Sequence, residues 1–227
     1  MKININNFFE MLSDVYLGGL IESCVISENG EVRSVDRMDT IFVETKRENI
    51  FEGGEKICLL DIGTILRLIK TITQETIAAT ITETNLKMRF KGLSVRFALT
   101  TPDAISTNVE EEPDFEKCET IKISKAQIEK ILELIGIFKT TIVTFFVNKD
   151  GELTISNFEK EQSEWSIPLG KNGKAKPVSV YGHIDFIKPV FERLKTENEC
   201  SIGVTSETII FENSNARWVI SGLPKLD

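Results

Sequence analysis

Four amphipathic stretches recur along this chain at nearly equal intervals, and that recurrence limits its possible folds more than any other feature. The first covers roughly residues 6–15, with Phe8, Met11, Leu12 and Val15 on one side. The second covers residues 61–72, with Ile62, Ile65, Leu66, Ile69 and Ile72. The third covers 124–138 (Ile128, Ile131, Leu132, Ile135) and the fourth 185–194 (Ile187, Phe191, Leu194). All repeat apolar residues at i, i+3, i+4 and i+7, the mark of a helix with one buried face. Their midpoints lie about 57, 65 and 57 residues apart, the sign of an internal repeat. Asp61, Ser124 and Asp185 stand where helix N-caps belong. Pro189 falls inside the fourth stretch, so that helix either begins late or is kinked.

What separates the stretches repeats as well. Each is followed by three runs rich in Val, Ile, Thr and Phe: 19–26, 31–35 and 40–45; 76–82, 86–90 and 93–99; 141–148, 152–156 and 164–169; 200–205, 208–212 and 217–222. Two of the turns between them carry Asn29-Gly30 and Asp150-Gly151, the strongest short hairpin signals. Each helix is preceded by a short apolar run, at 3–5, 56–60, 120–123 and 178–181. The unit is therefore strand, helix and a three-strand meander, used four times. One helix and four strands cannot bury both their faces. Two such units side by side can pack two helices on one continuous curved sheet. This predicts an α+β chain of two similar domains, 1–105 and 118–227, with 106–117 as a connecting loop. The linker region, TPDAISTNVEEEPDFEK, reads as extended and solvated, either a simple tether or a binding segment.

Composition narrows the chemistry. The four cysteines, Cys24, Cys58, Cys118 and Cys200, are far apart in sequence and have no zinc-ligand spacing. They read as reduced structural thiols, and the N-terminal stretch does not read as a signal peptide, which points to the cytoplasm. No apolar run is long enough for a membrane helix, so no membrane role is expected. The single histidine, His183, has no partner motif and reads as structural; Trp165 and Trp218 read as packing residues. No P-loop, GxSxG or HExxH motif occurs, and Glu110, Glu111 and Glu112 read as a solvated run. No cofactor, metal or catalytic residue is expected. The net charge of −8 opposes tight gripping of nucleic acid but allows a few cations on one face.

The meander SENGEVRSVDRMDTIFVET, the crossover TTPD…EEEPDFE and the run KDGELTISNFEKEQSEWSIPLG together resemble the DNA sliding clamps, the family of proliferating-cell nuclear antigen and the T-even phage clamp. The resemblance implies the DNA clamp fold, with helices on the inner face of curved antiparallel sheets. It implies a homotrimeric ring, joined strand to strand, that encircles duplex DNA and tethers a replicative DNA polymerase. An ATP-dependent clamp loader and other clamp-binding peptides are the further partners; the cytoplasm is that of the host if the chain is phage-encoded. A decoy or checkpoint-type subunit that does not encircle DNA, and a small-molecule enzyme on duplicated α+β domains, are the alternatives.

At about 100° per residue, Arg67 falls opposite the Ile62/Ile65/Ile69 stripe, Lys130 opposite Ile128/Ile131/Ile135 and Arg193 opposite Ile187/Phe191. Lys70, Lys125 and Lys188 lie on flanks. By the resemblance these cations face DNA; otherwise they are solvated helix surface. The first helix carries Asn6, Glu10 and Ser13 outward, with only Lys2 nearby. The resemblance also implies a pocket for partner peptides. It maps onto Val35, Ile41, Val43, Phe115, Leu223, Pro224 and Leu226.

Overall fold

The four predicted units are all present in the structure, a computed structural model that describes residues 1–52, 56–109, 118–158, 164–171, 177–197 and 199–224. In chain order the first unit is β1 (Lys2–Asn4), α1 (Ile5–Tyr16), β2 (Cys24–Ile26), β3 (Glu31–Val35) and β4 (Ile41–Lys46). The second is β5 (Ile57–Leu59), α2 (Ile62–Ile69), β6 (Thr76–Thr82), β7 (Asn85–Phe90) and β8 (Leu93–Ala98). The third is β9 (Thr120–Ile123), α3 (Lys125–Phe138), β10 (Ile142–Val147), β11 (Glu152–Asn157) and β12 (Ser166–Lys171). The fourth is β13 (Val178–His183), α4 (Ile184–Leu194), β14 (Cys200–Val204), β15 (Thr208–Glu212) and β16 (Ala216–Ser221). The chain divides into two compact bodies, Met1–Glu112 and Pro113–Asp227, each holding two of these units.

The expected single continuous sheet in each body is replaced by an exchange of strands. In the first body β1 pairs antiparallel with β6 of the next unit, extending β6-β7-β8 to four strands. In return β5 pairs with β2 of the first unit. The second body repeats the exchange: β13 pairs with β10, giving β12-β11-β10-β13, and β9 pairs with β14, giving β16-β15-β14-β9. A three-residue strand has too few ladder bonds to hold itself. Placed on the other unit's sheet, it lets both helices lie side by side over a shared core.

That core is where the periodicity puts it. Phe8, Met11, Leu12 and Val15 of α1 are fully buried, as are Ile128 and Ile131 of α3 and Ile187, Phe191 and Leu194 of α4. In the second body Phe211 stacks edge-on with Phe145 at 6.3 Å and with Phe191 at 5.2 Å. Trp218 is fully buried, and buried Trp165 donates its indole N–H to Thr140 Oγ1 at 3.1 Å. Cys24, Cys58 and Cys200 are buried, Cys118 is half-buried, and none of the four is in a disulfide. Burial raises the thiol pKa of the first three, which keeps them protonated and unreactive.

Helix ends follow local chemistry. Ser124 forms a capping box with Gln127, whose amide also donates to the carbonyls of Pro168 and Leu169 at 3.1 and 3.0 Å and so ties α3 to β12. Replacing Ser124 by Ala is expected to cost about 1 kcal/mol, read as a lower urea midpoint at unchanged m-value. Helix α4 does not begin late. His183, not Asp185, is its N-cap, with Nδ1 accepting from the Asp185 N–H at 3.3 Å, and Pro189 sits inside. Deep burial of Ile187, Val190 and Phe191 around it offsets the lost backbone bond. Helix α2 is shorter than its stripe: after Ile69 the chain closes in tight turns, with the Thr71 and Ile72 N–H groups donating to Leu68 and Ile69.

Candidate nucleic-acid interface

Five of the seven cations assigned to DNA project from helices, or from the residue just past one, into solvent: Arg67, Lys70, Lys125, Lys130 and Lys188. Arg67 Nη2 donates to Thr64 Oγ1 at 2.7 Å, which orients the guanidinium along α2. Hydrogen bonds from Thr64 hold the Asp61 carboxyl below its usual range, and the Arg67 charge lowers it further. Lys70 Nζ lies 5.9 Å from the Phe9 ring centroid, an attraction across α1 and α2 that leaves the ammonium wet. Lys130 pairs with Glu133 at 2.8 Å, and Glu129 shares the solvent side of α3, so that face is charge-balanced rather than basic. Helix α1 offers no cation of its own.

Two assignments are corrected. Arg193 is only 9 % exposed; it donates to Thr196 Oγ1 at 2.7 Å and pairs with Glu197 at 2.9 Å, so it closes the end of α4 instead of reaching outward. The helical wheel gives a direction but not the path of a long side chain in a last turn, where a carboxylate four residues on recaptures it. Lys2 is not on the helical side at all. Ile3 beside it is buried in the core, so strand alternation turns Lys2 to the opposite face of the sheet.

The peptide-pocket residues also separate. Ile41 and Val43 are fully buried and cannot meet a partner. Strand β4 is buried on both faces from Ile41 to Val43, so alternation there carries no exposed row. Val35 and Leu223 are half-buried and Pro224 is exposed; Phe115 and Leu226 lie outside the described residues. The Leu223 N–H donates to the Tyr181 carbonyl at 2.8 Å, and Tyr181 stacks edge-on with Phe158 at 4.8 Å. The sequence reading missed Met38, 70 % exposed on the turn after Val35. Buried Asp36 builds that turn, with Oδ1 accepting from the Thr40 and Ile41 N–H groups at 2.6 and 2.9 Å. The signal was a methionine among charges in VDRMDT, in a turn one Asp can brace.

The stretch after β8 is partly fixed. Ile105 packs with Val25 and Cys58, the Val35 N–H donates to the Thr107 carbonyl at 2.9 Å, and the Val109 N–H donates to the Arg33 carbonyl at 3.3 Å. A cavity of about 540 Å³ opens beside it, lined by Val25, Ser27, Arg33, Lys56, Asn108 and Val109. None of the anticipated pocket residues lines it.

Strands β8 and β12 are end strands of their sheets. On β8 the row turned toward the core is incompletely covered: Leu93 is 60 % exposed, and Val95 and Phe97 are half-buried. An end strand with unpaired backbone groups and partly bare apolar side chains is a surface that another strand can complete.

No protein-family model matches this chain, and no curated protein matches it in sequence. Solved structures do. The A. fulgidus PCNA, bound to the C-terminal region of FEN-1, is 14 % identical with a TM-score of 0.77, over 100 % of this chain and 98 % of that one. A chain of the PCNA2–PCNA3 complex from Sulfolobus tokodaii is 14 % identical with a TM-score of 0.69, over 98 % and 99 %. A putative DNA polymerase III beta subunit from Eubacterium rectale is 12 % identical with a TM-score of 0.77; this chain spans 65 % of its length. The chain has the fold of the DNA sliding clamps.

Proposed function

We propose that this chain is a sliding-clamp subunit that encircles duplex DNA as a homotrimeric ring and tethers a replicative polymerase, with no catalytic site of its own. The observation that carries the reading is the clamp fold running the full length of the chain and ending one sheet in an uncovered strand, β8. Pairing of β8 with an end strand of a second copy, β12 being the complementary candidate, covers Leu93, Val95 and Phe97 and closes a ring. Arg67, Lys70, Lys125, Lys130 and Lys188 then meet phosphates without reading sequence. Few and partly balanced cations suit a ring that slides. The ring raises the effective concentration of polymerase at the primer end.

Partner peptides dock, on this reading, on the first body around Val35 and Met38, with residues 106–117 connecting domains 1–105 and 118–227. The FEN-1 segment bound to the A. fulgidus protein supports a peptide site of this kind. An ATP-dependent loader opens and places the ring, and the cytoplasm is its compartment. No helix among the described residues is long and apolar enough to cross a membrane. The charge balance on α3 favours, as a second reading, a clamp-fold subunit that binds partners without encircling DNA.

Native mass spectrometry separates the two, joined to polymerase tract-length assays with a loader present. The expected result is a species of three chains, each of 25.6 kDa, and longer tracts. A persistent monomer with unchanged tract length overturns the clamp reading.

A further inference from the structure

The side of the sheet β1-β6-β7-β8 that faces away from its core is basic, on a chain that is acidic overall. Register and alternation define that face. Leu86, Met88 and Phe90 of β7 are buried, so Asn85, Lys87 and Arg89 point outward. One row across the strands reads Lys2, Ala78, Arg89, Ser94, and the next reads Thr80, Lys87, Arg96. A third reads Thr82, Asn85, Ala98. These rows hold four cations and no carboxylate. Lys91 extends the patch from the β7–β8 turn. Among the described residues, Lys87, Arg89 and Arg96 have no ion pair; Lys2 lies 3.5 Å from Glu52. Glu75 and Glu83 adjoin at strand ends, both exposed.

Two features of the patch work against stability. Lys87 and Arg96 are direct cross-strand partners, a like-charge pairing that weakens a sheet. Lys91 holds φ 45° ahead of Gly92 at φ 77°, in a turn position that favours Asn, Asp or Gly. A polyanion bound across the face relieves the repulsion between Lys87 and Arg96.

The composition of the face selects the kind of polyanion. Its outward apolar residues are two alanines, so it lacks the aromatic and aliphatic anchors that hold a protein partner. It also has no aromatic ring on which unpaired bases stack. Cations interspersed with Thr, Ser and Asn on an open sheet face fit the phosphates of a duplex, in contacts that are polar and carry no sequence information. We infer that this sheet face is a second, sequence-independent contact surface for duplex DNA, on the side of the domain away from the helices.

The test uses the full chain and a labelled closed circular duplex, with no loader, at low salt. A circle has no end over which a ring can thread, and cutting it afterwards releases a threaded ring but keeps a face-bound protein. The expected result is binding that survives cutting and weakens steeply with salt. In the Lys87→Gln/Arg89→Gln/Arg96→Gln variant, binding falls at least tenfold and the log–log salt slope drops by about 2.7, three phosphate contacts at 0.9 each. The thermal midpoint stays equal or rises, because the like-charge pair is gone. Four results overturn the inference: no binding to the circle, binding lost on cutting, equal binding by the triple variant, or stronger binding of single strands or polyglutamate than of duplex. Loss on cutting overturns the inference while favouring a threaded ring; the other three results leave the ring reading untouched.

Discussion

Replacing Asp14 by Ala is expected to remove roughly 3–5 kcal/mol of stability, the cost of leaving a buried charge without its partner. Asp14 lies on α1 yet is fully buried, and its Oδ2 accepts from Arg47 Nη2 at 2.9 Å and from Thr45 Oγ1 at 3.1 Å. The Arg47 side chain is itself only 12 % exposed. The pair pins the helix to the strand segment that also carries the Met38 turn. Against the 5–15 kcal/mol typical of a whole domain, such a loss is large. Urea unfolding of the first domain checks it, with the midpoint expected to fall at unchanged m-value. The double variant Asp14→Leu/Arg47→Met supplies the control. It removes both charges, so its cost should be far smaller than that of Asp14→Ala alone. Equal losses in the two variants would mean that the charges contribute nothing beyond the volume they fill.

Asp14 also marks where the sequence stopped being informative. Periodicity places a stripe on α1 from Phe8, Met11, Leu12 and Val15, and an aspartate beside that stripe reads as solvent-facing. Its burial depends on Arg47, which reaches it from just past the end of β4, 33 residues away. Long-range partners leave no local signature. Local features were legible to within a residue or two, including most strand boundaries and the Ser124 cap, because alternation, stripes and turn residues are read over a few positions. The exchange of β1 and β5 between units was not legible. Three apolar residues say that a strand exists and nothing about which sheet takes it. The site divides along the same line. Arg67 and Lys130 were placed correctly on solvent faces by helical geometry. Arg193 was lost to Glu197, Lys2 to strand alternation, and Ile41 and Val43 to a strand buried on both sides.

Reversing the helix-face charges with Arg67→Glu and Lys130→Glu is expected to shorten polymerase tracts about tenfold or more while leaving the oligomer intact. If the chain forms the proposed trimeric ring, each substitution appears three times around it, so repulsion is multiplied where attraction was weak. Neither side chain is part of the core: both are exposed, and neither lies on an end strand. Loss of tract length with an unchanged native mass therefore locates the effect at the DNA. Lys130 adds an internal check. Its ammonium is partly balanced by Glu133 at 2.8 Å, so Lys130→Glu alone places two carboxylates together and should exceed the effect of Lys130→Gln. Arg193→Gln should behave differently, because that guanidinium holds Glu197 at the end of α4. Its cost falls on thermal stability, and tract length at matched folded concentration stays near normal. If Arg193→Gln shortened tracts while the Arg67/Lys130 reversal did not, the helices would not be the DNA face. The fold would then be serving partners rather than encircling a duplex.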